Sequence, residues 1–424
     1  MSRYCLVWLV LATPLTWAQE PQPDLPPLTL PDAAGRVLEQ NPRLMAGQFS
    51  REAANAATDA AGFKPQWSVE LAAENFLGTG TLSGFDGSET TLRLSRIFQP
   101  SDILSGRISV AGARSATIDN ALESERLDLM ALLARRFVEV VYQQELLALA
   151  GQAVETWQRA TELALERERA GAAPAVHRLQ TEIRTARAGL MQEDAEHELD
   201  AARMLLAATW GDANDDFGPA SASICAVSPL PPFERLSDQI DRNPDLLRFA
   251  TDQRLYEAEA SLAEARSRPG WSLSAGVRHL ALVDEQAFVF SVSVPLGSRS
   301  RSEPVVRRSN ALRQQSALRE KDVRTDSRAT LYELYQEARH SITEVEVYDN
   351  EILPKAGEIL KRIEEGYRLG RFSHLELMNA QAELLAARAA RLSACANHHS
   401  FLIDIERLTG GGAVWLTTEG GIAP

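Results

Sequence analysis

The chain is written twice, and that repetition restricts its possible folds more than any single motif does. "VLEQNPRL" (Val37 to Leu44) returns as "QIDRNPDL" (Gln239 to Leu246), and "PQWSVEL" (Pro65 to Leu71) returns as "PGWSLSA" (Pro269 to Ala275). Gly171 in "ERAGAAP" corresponds to Gly370 in "YRLGRFS", and Gly211, which ends "TWG", corresponds to Gly410, which ends "LTG"; both pairs are 199 residues apart. Equal spacing between a turn and a terminator implies two arms of equal length. Each copy reads as a short helix, Asn-Pro, a second helix, two strands, a long helix, a glycine break and another long helix. The copies span 19–211 and 234–410. A Pro-rich linker at 212–233 joins them, and 411–424 forms a tail.

Period-two alternation places the strands at 67–78, 91–99, 271–282 and 287–296. In "WSLSAGVRHLAL", Trp271, Leu273, Ala275 and Val277 share one face, and Ser272, Ser274, Gly276 and Arg278 share the other. Phe288, Phe290, Val292 and Val294 likewise oppose Val289, Ser291 and Ser293, whereas Trp67, Val69 and Leu71 oppose Ser68 and Glu70. Strands of about ten residues suit a transmembrane β-barrel. Four strands cannot close one, so either several copies of the chain share a barrel or the hairpins form a soluble sheet.

The helices are long. The patterns from about Leu104 to Arg169 and from about Pro304 to Leu369 each extend about 100 Å at 1.5 Å per residue, with Pro354 expected to kink or open the second. From Ser373 to Leu408 two heptad seams run together. One passes through Leu375, Ala382, Ala389, Ala396 and Ile403 with Met378, Leu385 and Leu392; the other through Leu377, Leu384 and Ile405 with Ala380, Ala387, Ala394 and Phe401. The seams lie on nearly opposite flanks. Glu376, Asn379, Glu383 and Asp404 form one polar face between them, Gln381 and Arg388 the other. Such a helix has a neighbour on each side and suits the wall of a tube, the alternative being the centre of a bundle. Gly171 and Gly370 sit where the long helices reverse, with Pro174 and Ser373 starting the next.

The apolar run Cys5 to Leu15, followed by Thr16-Trp17-Ala18, reads as a signal peptide over 1–18; a retained anchor is the alternative. Cys225 and Cys395 remain, and two cysteines so far apart read as unpaired thiols. The net charge of −14 excludes nucleic acid as a main partner. No His-Glu-x-x-His, Gly-x-Ser-x-Gly or Cys-x-x-Cys occurs, so no catalytic residue and no cofactor is expected.

"ILPKAGEILKRIEEGYRLGRFSHLELMNAQAELLAARAARL", with the doubled Asn-Pro and Pro-x-Trp elements, resembles the outer-membrane efflux family, the TolC-like exit ducts of tripartite export systems. "ENFLGTGTLSGFDGSETTLRLS" is similar to the branch that serves heavy-metal-cation pumps, the CzcC-like proteins. Two stretches depart from the family pattern, "FQPSDILSGR" after the second strand and "VPLGSRSRSEP" after the fourth. The resemblance implies a mainly α fold with a β-barrel part: a homotrimer whose long coiled-coil helices form a tunnel through the periplasm, topped by a shared 12-stranded barrel in outer-membrane lipid. It implies a periplasmic adaptor and an inner-membrane proton-driven pump as partners, with organic substrates as the alternative cargo. A coiled-coil stalk or adhesin is the rival of another class; it predicts one seam per helix and no matched hairpins.

On this reading the tips, Arg169, Ala170, Gly171 and Ala172 with Arg368, Leu369, Gly370, Phe372 and Ser373, meet the adaptor. Glu376, Asn379 and Glu383 line the periplasmic aperture, where a ring of carboxylates favours cations; a plain solvated face is the other reading. Cys395, His398 and His399 have helical metal-ligand spacing, but the heptads place the histidines in opposite seams and Cys395 on a polar face, so packing is expected and no metal site.

Overall fold

In a computed structural model the described residues are 25–411; the expected signal peptide and the tail beyond 411 lie outside them. The elements run α1 (Leu30–Gln40), α2 (Pro42–Ala61), β1 (Trp67–Glu74), β2 (Glu89–Phe98), α3 (Ser101–Arg169), α4 (Ala175–Ala207), α5 (Phe233–Ser237), α6 (Pro244–Arg266), β3 (Trp271–Leu280), β4 (Glu285–Ser293), α7 (Ser298–Val347), α8 (Leu353–Arg368) and α9 (His374–Thr409). A π-helical turn, Tyr348–Ile352, separates α7 from α8. It immediately precedes Pro354, whose missing N–H and ring clash loosen the preceding turn.

The strands form one antiparallel sheet in the order β1-β2-β3-β4. Its register gathers Val69, Leu94, Ala275 and Phe290 into one row and Leu71, Leu92, Val277 and Phe288 into another, all on one face. That face is bare: Phe288 is 93% exposed, and Val69 and Leu71 72% each. Trp67, Phe98 and Trp271 gather at the end nearest the helices, with Phe98 and Trp271 stacked at 4.3 Å and Arg96 over the Trp67 ring. The opposite face is polar. Arg278 pairs with Glu89 at 2.7 Å, Arg93 lies 3.6 Å from Glu70, and Ser68 bonds Ser95 at 2.7 Å. An apolar face with an aromatic rim and a charged reverse is the pattern of a barrel wall in lipid.

Below the sheet, α2, α3, α6 and α7 stand side by side in that order, continuing the strands. Both Asn-Pro pairs do two jobs. Asn41 accepts from the amides of Arg43 and Leu44 and caps α2, while its side-chain amide donates to the Thr209 carbonyl at 2.6 Å. Asn243 caps α6 and donates to the Arg407 and Leu408 carbonyls. Each cap thereby bolts the start of one helix to the end of the returning one. Gly211 and Gly410 both adopt positive φ, and an added Cβ would come within 2.9 Å of Pro42 or Asn243 respectively, so both positions require glycine.

The largest core lies at mid-height, where Phe137, Leu133, Leu206 and Val37 are buried among α1, α3, α4 and the linker. There the expectation of free thiols fails. Cys225 and Cys395 form a disulfide across 170 residues of sequence. The linker folds back onto the helices: Ala220 forms a parallel bridge with Leu28 and exchanges two hydrogen bonds with Gln144. That return, not sequence proximity, brings the sulfurs together.

Both seams of α9 find neighbours. Met378 packs with Trp157, Ala160 and Ala188 of the first hairpin, and Ile405 packs with Leu331 and Ala338 of α7. Three positions depart from the heptad reading. Leu375 is 67% exposed although its neighbours His374 and Met378 both contact the first hairpin, Gln381 is buried, and Cys395 is buried by its bond to the linker.

Candidate functional site

The end of the helices far from the sheet carries two reversals, and the same backbone makes both. Gly171 and Gly370 have φ of 68° and 72°. The Ala172 amide bonds back to the Arg167 carbonyl at 2.8 Å, and the Arg371 amide to the Gly366 carbonyl at 2.8 Å. This six-to-one bond closes a helix through a left-handed residue. Arg169, Ala170, Gly171, Ala172, Arg368, Leu369, Gly370, Phe372 and Ser373 are all exposed.

Glu376 sits in the first turn of α9 and completes a capping box: the Ser373 amide and hydroxyl both donate to its carboxylate at 2.7 Å, and the Ser373 hydroxyl accepts from the Glu376 amide. Those bonds hold the Glu376 pKa below its ordinary value, so the group is anionic at neutral pH. Asn379 and Glu383 follow, both exposed.

Sequence reasoning missed the cluster between the hairpins. His177 and His374 stack with ring centroids 4.3 Å apart, and the Arg167 guanidinium lies over the Tyr367 ring at 4.4 Å while donating to the Tyr367 carbonyl. The Tyr367 hydroxyl is 3.5 Å from His374 Nδ1. Burial, with the adjacent His177 ring and Arg167 charge, pushes His374 down to about 4. The available signal was Tyr367 and His374 flanking one tip at seven residues, facing each other across the turn.

Cys395, His398 and His399 do not converge. His399 Nε2 donates to the Ile224 carbonyl at 2.8 Å, His398 Nδ1 lies near Ser341 Oγ and the Ala338 carbonyl, and burial pushes His399 down to about 4. Among the described residues no group of three or more His, Cys, Asp or Glu side chains could hold a metal. No described helix is long and apolar enough to cross a membrane, which leaves the sheet as the element with a lipid-suited face.

A sequence profile described as "Outer membrane efflux protein" matches residues 33–212 and 236–411, most of the chain. The chain belongs to that family. Its fold is that of the trimeric TolC-like channels, a helical tunnel with a barrel to which each chain gives four strands, in the outer membrane with the helical part in the periplasm. The family is one of channels, not of enzymes. This efflux protein is 23% identical over 315 residues to the cobalt-zinc-cadmium resistance protein CzcC of Cupriavidus metallidurans, covering 72% of this chain and 75% of that protein. Among solved structures it resembles CusC (TM-score 0.78, 16% identity, 92% of this chain and 94% of that one). It also resembles the outer membrane protein VceC of Vibrio cholerae (TM-score 0.74, 15% identity, 90% and 96%).

Proposed function

We propose that this efflux protein is the exit duct for heavy-metal cations, a passive conduit whose energy comes from a proton-driven inner-membrane pump joined to it by a periplasmic adaptor. The observation that carries the duct is the sheet: four strands with an apolar face exposed and both edge strands, β1 and β4, unpaired within the chain. In lipid those edges need partners, and copies of the same chain supply them. The metal assignment is supported by the likeness to a cobalt-zinc-cadmium resistance protein. In this reading the exposed tips, Leu369 and Phe372 among them, meet the adaptor, and Glu376, Asn379 and Glu383 of three copies ring the periplasmic mouth, attracting cations.

Growth of cells lacking this chain tests the cargo. Lost tolerance to zinc, cadmium or cobalt, restored by the wild-type chain, is expected. Unchanged metal tolerance with lost tolerance to organic compounds would replace metal cations by organic cargo and leave the duct standing. At the mouth, Glu376→Gln should reduce cation preference in single-channel recordings; an unchanged reversal potential would remove Glu376 from the aperture.

A further inference from the structure

Directly below the sheet the helix wall forms an open hollow of about 920 Å³ lined from α2, α3, α6 and α7. Helices α2 and α7 are the two edges of the wall. One hollow lined by both edges lies on the concave side of a curved wall, which in a closed tube is the lumen. Five arginines line it, Arg107, Arg114, Arg266, Arg301 and Arg308, against one carboxylate, Glu259.

The spacing is regular. Arg107 and Arg114 on α3, Glu259 and Arg266 on α6, and Arg301 and Arg308 on α7 are each seven residues apart, so three neighbouring helices present charge to one side. Glu259 is shared between Arg114 at 3.1 Å and Arg308 at 3.9 Å. Arg107 donates to the Phe63 carbonyl at 2.8 Å, but its Nε is buried without a hydrogen-bond partner. Arg266 and Arg301 are exposed and make no ion pair with the described residues. The lining therefore carries a surplus of four positive charges per chain, with Ser50, Ser115 and Ser298 among them as further donors. The other side of the same α3–α6 pair has no positive surplus: three carboxylates, Asp102, Glu257 and Glu264, accompany two arginines, Arg254 and Arg268. The net charge of −14 conceals this concentration on one face.

We infer that this chamber, where the tunnel meets the barrel, is a binding site for small multivalent anions. Its placement in a lumen rests on the duct reading; its affinity for anions does not. Guanidinium groups bind phosphate-type oxygens through paired, charge-assisted hydrogen bonds, and a chamber that concentrates field lines raises the local counter-ion concentration. The duct then has opposite electrostatic preferences at its two ends. Cations are favoured at the mouth and anions beneath the barrel, so cations cross the chamber together with screening anions.

Inorganic pyrophosphate is the probe, titrated calorimetrically into the detergent-extracted full chain. Wild type should bind it, and Arg301→Gln with Arg308→Gln should weaken binding by about tenfold or more. Arg254→Gln with Arg268→Gln, on the outer side, should leave it unchanged. No binding by wild type, equal affinity in the α7 variant, or equal weakening in the outer variant overturns the inference. Thermal unfolding and oligomer size of both variants must match wild type; should the α7 pair fail to fold, Arg266→Gln provides the same reading. Single-channel recording separates the two claims. A protein that binds pyrophosphate but never conducts sinks the duct and leaves the chamber, whereas one that conducts and binds none sinks the chamber alone.

Discussion

The two hairpin tips share a backbone and differ in almost everything attached to it. Subtracting 199 from the second tip aligns Gly370 with Gly171, Ser373 with Pro174, Phe372 with Ala173 and Gly366 with Arg167. The first tip lacks a side-chain cap at Pro174, the residue before α4, and is spanned instead by one ion pair, Arg178 Nε to the Glu168 carboxylate at 2.8 Å. The second is reinforced, with a capping box at Ser373 and Phe372 folded over Gly366 so closely that a Cβ there would meet the ring at 2.3 Å. Both reversals share the left-handed glycine, and side chains decide how firmly each is held. The uncapped tip then leans on the capped one through Arg167 on Tyr367 and His177 on His374.

The strongest way to break this asymmetry is Gly366→Val, which should expel Phe372 from its seat at a cost of about 1–3 kcal/mol. Hydrogen exchange in 364–373 should rise towards that of 165–174. Exchange that stays slow would show that Phe372 does not hold the tip.

Acid should loosen the contact between the tips. His374 has its pKa lowered in the folded protein, from an ordinary 6.5 to about 4. The unfolded chain therefore binds more protons between those values, and the stabilisation, complete above about pH 6.5, is lost as pH falls towards 4. Spin labels at Ala172 and Leu369 should report a longer or broader distance at pH 5 than at pH 7.5. His374→Phe keeps a ring in the stack without a titrating nitrogen and should abolish the change; a change that persists would assign the effect to other groups.

Ser373→Ala should cost about 1 kcal/mol by removing the cap and should raise the Glu376 pKa towards its ordinary value, read by carboxyl NMR titration. The smallest effect is the converse one. Pro174→Ser should give the first tip a cap and lower exchange in 174–178 by a factor of a few, making the two tips more alike.

The sequence carried the parts of the fold that depend on local chemistry. Glycines at the reversals, Asn-Pro at the bolts and alternation in the strands each act within a few residues, and the strands observed lie within four residues of the expected boundaries. Contacts made through a third element stayed hidden. Cys225 meets Cys395 only because the linker folds back, and Gln381 is buried although the heptads place it on a polar face. His177 was passed over because its partner lies on the other hairpin. The heptad-spaced arginines were readable as pairs, yet only the curvature of the wall assembles them into one chamber.

The disulfide also sets an order of assembly. Cys225 has to wait for a partner near the far end of the chain, so the strap cannot fasten while the second repeat is still being delivered. It forms only in an oxidising compartment. A chain held back in a reducing cytosol stays unfastened at its waist and open to threading, and the completed tie at Cys395 marks a protomer whose two arms have both arrived.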